Sequence, residues 1–134
     1  MQNTDDSGKL VLRVALAILM LFHGVSKLMT GLDPIMGMLA KAGVPPTLAY
    51  LVLIGEIVAP VLILIGIWSR LAACTIAISM TIAVLLAHTG QFFTVSKTGG
   101  WALELQAFYF MTAIAVALLG AGRYSIAGSA GKWN

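Results

Sequence analysis

Residues 10–29 read LVLRVALAILMLFHGVSKLM. Wound as a helix, this run is about 30 Å long, the thickness of a bilayer's hydrocarbon core. It nevertheless carries Arg13 near one end and His23 and Lys27 near the other. Read as a membrane helix, it sets the class of the whole chain. Its polar intruders then decide whether that helix is only an anchor or one wall of a site.

Three further apolar runs follow, at Thr47–Ile67, Leu71–His88 and Trp101–Leu119. The chain is 60% hydrophobic and 10% charged, with a mean hydropathy of +0.98, far too little charge to cover a soluble domain of 134 residues. The four runs take up most of the length, so the expectation is all-α. We expect a four-transmembrane-helix bundle forming a single integral membrane domain over residues 1–134, with spans at about 10–29, 47–67, 71–88 and 101–119. The leader MQNTDDSGK carries Asp5 and Asp6, and no small-x-small site follows the first apolar core. The first run therefore reads as a retained span and not a cleaved signal. Cys74 is the single cysteine and lies inside the third run, which excludes an internal disulfide and a cysteine-based metal site. The formal charge of +3 comes from single Lys and Arg residues scattered at helix ends, a pattern of topology signals and not of nucleic-acid binding.

With four crossings, the N-terminus, second loop and tail share one side, which carries Lys9, Arg13, Arg70, Arg123 and Lys132. The opposite side carries Lys27, Lys41 and Lys97, so the positive-inside rule places both termini in the cytoplasm. Arg13, Arg70 and Arg123 read as anchors at the inner face. The first outer loop holds a short helix signal: Asp33 as N-cap, Pro34 at the first helical position and Gly43 closing before Pro45-Pro46. Ile35, Met36, Met38 and Leu39 make this segment apolar enough to lie in the interface between the first two spans. Phe92, Phe93 and Trp101 in the third loop suit the aromatic belt or a lid over a site. The Gly- and Ser-rich tail is expected to be loose after Tyr124.

Ionisable residues gather in one leaflet. His23 lies about 9 Å and Lys27 about 3 Å from the outer end of the first helix. They are about 40° apart on one helical face. Glu56 lies deeper in the second helix, His88 closes the third, and Glu104 is about one turn into the fourth. Cys74, Thr81 and His88 form a stripe at seven-residue spacing. A charge deep in hydrocarbon costs about 2.5–3.5 kcal/mol, and bundle packing needs none of it, because small residues suffice to bring helices together. With neutral histidines, Lys27 set against Glu56 and Glu104 leaves the layer one positive charge short, the signature of a proton-binding site. Pro60, four residues beyond Glu56, cannot donate to its carbonyl and should distort the helix there. Each group also has a bland reading: Lys27 snorkelling outward, His23 and His88 in local hydrogen bonds, Glu104 wetted from the loop. Glu56 resists such a reading best.

The segments RVALAILMLFHGVSKL, AGVPP, LIGEIVAPVLILIGIWSRLAA, AHTGQFF, GGWALEL and ALLGAGRYSI, together spanning Arg13 to Ile126, resemble the DoxX family of membrane proteins. The resemblance implies a four-helix protein of the bacterial inner membrane. It also implies kinship with membrane subunits of a terminal quinol oxidase and a thiosulfate:quinone oxidoreductase. Distant relatives act as cargo receptors or assembly chaperones, so the fold alone does not imply redox chemistry. In the family pattern the fourth-helix acid follows the Gly-Gly pair more closely. Here Trp101, Ala102 and Leu103 intervene before Glu104.

Two functions of different classes fit. The first is a quinone-linked oxidoreductase subunit. His23, Lys27 and Glu56 would be the catalytic group, and His88, Glu104, Thr81 and Trp101 would line the substrate site. A quinone would be bound, no metal is intrinsic, and a soluble or membrane redox partner would carry the electrons. His23 and His88 are the one pair that could ligate a haem; with Glu56 and Glu104 they would make a metal set. The second is a non-catalytic scaffold in the lipid bilayer that binds a lipid or other small amphiphile. A transporter is disfavoured unless the chain forms a homo-oligomer, because the polar layer has no inner exit.

Overall fold

The computed structural model describes residues 2–128 and 131–134. Among them it is helical throughout, with one isolated bridge between Val95 and Trp101 and no named strand. We label the helices α1 (Gln2–Thr30), α2 (Asp33–Lys41), α3 (Pro46–Ile65), α4 (Ser69–Ala87) and α5 (Glu104–Leu119). Three of them, α1, α3 and α4, contain segments long and apolar enough to cross a membrane, and α5 is apolar but shorter. Helix α1 begins eight residues earlier than the apolar run, with Asp5 in its first turn, where a helix N-terminus favours an acid. Helix α5 begins three residues later than its run, because Trp101–Leu103 belong to the loop.

The helices pack through small residues. On α4, Ala72, Ala73, Ile76, Ala77 and Met80 turn inward at i, i+1, i+4, i+5 and i+8, one stripe of a 3.6-residue period. They meet Leu16, Ala17 and Met20 of α1, Ala59 and Ile63 of α3, and Tyr109, Ala113 and Val116 of α5. Outward-facing positions such as Phe22, Leu28, Ile78, Leu85, Phe108 and Leu118 are large, apolar and exposed, as expected of a surface meant for lipid. Helix α2 is a surface element over the first loop. Leu32 sits at its cap position, so Asp33 is the first helical residue and makes no side-chain capping bond. Leu39 and Leu32 pack on Ala49, and Gly43 closes the helix at φ +73°.

The end of the molecule holding the α3–α4 turn and the tail is closed by two arginines. Both do more than the inner-face anchoring expected of them. Arg13 is 1% exposed and donates to the carbonyls of Ile63 (2.9 Å), Leu64 (3.3 Å) and Tyr124. Arg70 donates to Ala117 (2.9 Å), Leu118 (2.8 Å) and Asn134 (2.9 Å). Each guanidinium thus caps the C-terminus of a neighbouring helix, α3 or α5, where partial negative charge accumulates and the last carbonyls lack partners. The tail completes the closure. Ile126 and Ala127 donate to Ile65 and Gly66, Asp6 accepts from the backbone N–H of Arg123, and Asn134 is buried against Ser69 and Gly128. Beyond Tyr124 the described tail is therefore docked, not loose; positions 129–130 lie outside the described residues.

Candidate functional site

At the opposite, loop-bearing end, Pro60 leaves its mark. Residues Ile54–Val58 of α3 form a π turn, and the N–H of Ala59 reaches back to Ile54. A prolyl nitrogen has no hydrogen to donate, and widening the preceding turn is one way a helix absorbs the missing bond. The wide turn carries Glu56 into the helix interface, where it is 4% exposed. Glycine on either side lets the neighbours close on it. A Cβ on Gly24 of α1 would fall 2.6 Å from the Ile57 side chain and closer still to the Glu56 carbonyl; one on Gly55 would fall 2.7 Å from Ser79 Cβ of α4. Gly24 therefore seats α1 on the π turn, with His23 on one side and Lys27 one turn on.

Lys27 Nζ forms an ion pair with Glu56 Oε1, with the lysine side chain 30% exposed and the glutamate side chain 5%. Glu56 Oε2 is buried and has no partner among the described residues, and the same holds for Gln106 Oε1. His23 Nε2 lies 3.4 Å from the Tyr109 hydroxyl, and the two rings meet edge to face with centroids 5.6 Å apart. These groups surround a cavity of about 140 Å³ bounded by Met20, His23, Lys27, Glu56, Met80, Ala83, His88, Leu105, Gln106 and Tyr109. All four long helices contribute to its wall. Its volume equals four or five waters at about 30 Å³ each, or a single small ring. Beside it, a groove of about 510 Å³ runs between α1 and α5, lined by apolar side chains including Val11, Leu12, Leu16, Leu19 and Phe108. Tyr109 borders both spaces.

Four of the seven side chains singled out in the sequence, His23, Lys27, Glu56 and His88, therefore line one cavity. His88 does so because the helix ends at it (φ −131°), which turns it off the outward stripe, and its Nδ1 lies 3.2 Å from Gln91 Oε1. The other three stand elsewhere. Thr81 faces outward beside Cys74 and returns its hydroxyl to Ala77 O at 3.0 Å. Trp101 is held in the loop, its indole N–H donating to Phe92 O at 2.8 Å and its ring against Phe92 at 5.7 Å. Glu104 is the first, exposed residue of α5, its carboxylate lying over Gly100. At 100° per residue the inward positions of α5 are Gln106 and Tyr109, roughly 140–200° around the helix from Glu104. The charge imbalance expected of five groups disappears with Glu104's departure, and Lys27 and Glu56 balance one to one. His23, His88 and Glu56 share the cavity without Glu104, and no group of three or more metal-ligating side chains converges closely enough to hold an ion among the described residues.

Gln106 and Tyr109 were not anticipated. Their one signal is a polar pair at i, i+3 on a helix whose other polar residues are Glu104 and Thr112, and it shows only once the helix start is known. The chain matches no curated protein and no solved structure. The DoxX family model matches residues 8–89, a stretch that contains His23, Lys27, Glu56 and His88 and covers more than half the sequence. This helical, multi-pass membrane protein belongs to the DoxX family.

Proposed function

We propose that the protein is a quinone-linked redox subunit that holds a quinone head in the polar cavity and its tail in the adjoining groove. One observation carries the reading: a carboxylate 4% exposed, with one oxygen paired to Lys27 and the other unpaired, faces a cavity bordered by two histidines and a tyrosine. Burying such a group costs several kcal/mol (about 2.5–3.5 on insertion scales), and ionisable residues within membrane helices usually mark ligand sites or proton relays. In this reading Lys27, His23 and Tyr109 offer hydrogen bonds to the head, and when a quinol is oxidised by two electrons Glu56 takes up one of its two protons and His23 the other. The electrons pass to a partner protein. The cavity is small beside the usual ligand pocket of about 300–1,000 Å³, which suits a one-ring head whose tail lies outside it.

The finer topology belongs to the same proposal: four crossings of a bacterial inner membrane, α2 in the interface and both termini cytoplasmic. The charge distribution supports this orientation, and Arg13 and Arg70 contribute to it although their guanidiniums serve as caps. The sixteen residues of α5 reach about 24 Å, a mismatch a bilayer accommodates by local thinning. The second reading, a scaffold holding a lipid or other amphiphile, uses the same cavity and groove without electron transfer. Purified protein should be extracted with organic solvent and the extract identified by mass spectrometry. Stoichiometric quinone, lost in Glu56→Gln and His23→Ala, is the expected result. A stoichiometric lipid without quinone would favour the scaffold, and retention unchanged in both variants would remove the cavity from the account.

A further inference from the structure

The two fully buried polar atoms that lack a partner at the cavity are of one kind. Glu56 Oε2 and Gln106 Oε1 are buried acceptors without partners among the described residues, and an ionised carboxylate oxygen can only accept. Lys27 gives one N–H to Glu56 Oε1 and Tyr109 lies against His23, so neither Oε2 nor the Gln106 oxygen receives a hydrogen from the protein. An occupant that completes this wall must bring hydrogens. A quinone presents two carbonyl oxygens and no donor; its reduced form presents two hydroxyls. We propose that the cavity is selective for the reduced, hydroxyl-bearing member of a quinone couple. The inference rests on the quinone reading and adds the redox state that is bound.

The physical argument is one of satisfaction. A quinone carbonyl set against Glu56 Oε2 leaves two acceptors facing each other in a low-dielectric space, whereas a hydroquinone O–H gives a charge-assisted hydrogen bond. A site that hydrogen-bonds a hydroxyl rejects an analogue lacking it far more strongly than an apolar pocket rejects a change of shape. Selectivity of about tenfold or more follows from one buried acceptor gaining its donor. In a two-electron couple a tenfold preference for the reduced form raises the midpoint potential of the bound pair by about 30 mV.

The test uses detergent-solubilised full-length protein and three one-ring probes: 2,3-dimethoxy-5-methyl-1,4-benzoquinone, its hydroquinone, and the dimethyl ether of that hydroquinone. Calorimetric binding should rank the hydroquinone at least tenfold above both others, because the ether keeps the ring but has no donor. Gln106→Met, which removes one acceptor from a half-buried position, should cut the preference several-fold. Glu56→Gln, which removes the charged acceptor, should weaken hydroquinone binding and abolish the preference. Equal affinity of hydroquinone and dimethyl ether would overturn the selectivity while leaving the quinone site standing. Binding of none of the three would remove the site and the inference together. Should Glu56→Gln not fold, the wild-type ranking and Gln106→Met decide the matter alone.

Discussion

The two ends of the molecule bury charge in opposite ways. At the tail end, Arg13 and Arg70 spread their donors over helix C-termini, and the carbonyls from Leu62 to Gly66 all find an N–H, from a guanidinium, the closing turn or the tail. Only Arg13 Nε is left over among the described side-chain atoms there. At the loop end, a lysine and a glutamate meet across α1 and α3, but a carboxylate oxygen and an amide oxygen remain without protein partners beside a cavity. The first arrangement spends charge on closing the fold. The second leaves two acceptors open beside a cavity, and the proposed ligand site rests on that difference.

Breaking the tail end should have the largest effect on stability. Arg13→Met takes the guanidinium from three carbonyls: Leu64 and Tyr124 are left without its donors, and Ile63 keeps only the N–H of Gly66. Each such loss costs roughly 1–3 kcal/mol, so unfolding in mixed micelles should show about 2 kcal/mol of destabilisation or more. Arg13→Lys should recover little of it, because a point charge cannot reach several carbonyls as the fork does. A loss under about 1 kcal/mol for Arg13→Met would deny the capping role.

The loop-end pair should respond more mildly. Lys27→Met leaves the buried carboxylate unpaired and should cost about 1–3 kcal/mol, less than a fully buried pair because the lysine is partly exposed. Adding Glu56→Gln to Lys27→Met should restore at least about 1 kcal/mol, a coupling that a double-mutant cycle measures directly. Additive losses would mean that the two side chains do not act as a pair. Smallest of all, Thr81→Val and Glu104→Gln should each change stability by less than about 0.5 kcal/mol. Both should leave ligand retention at the wild-type level, since neither side chain lines the cavity; a loss of ligand in either would redraw the site.

These contrasts also explain what could be read from the sequence. The apolar runs announce their helices because lipid imposes length and composition on any spanning segment. His23, Lys27 and Glu56 stood out because their insertion cost has no packing excuse, and Pro60 foretold a distorted turn without saying that it would widen to π geometry. Glu104 misled because the apolar pattern begins at Trp101, while the backbone first pairs Val95 with Trp101 and starts its helix three residues on. That shift turns Gln106 and Tyr109 inward in its place. Arg13 and Arg70 looked like anchors because composition shows the depth of a charge but not the carbonyls opposite it. Those carbonyls lie 47 to 111 residues away along the chain.

The central claim is that Glu56 and its neighbours form a ligand site and not a structural ion pair. Ligand-induced stabilisation tests it most directly: unfolding of wild type and Glu56→Gln, each with and without the one-ring hydroquinone. At about a hundredfold excess over the dissociation constant, a bound ligand adds about 2.7 kcal/mol. Wild type should show that gain, and the folded variant about half of it or less at the same concentration. An equal gain in both would contradict the claim.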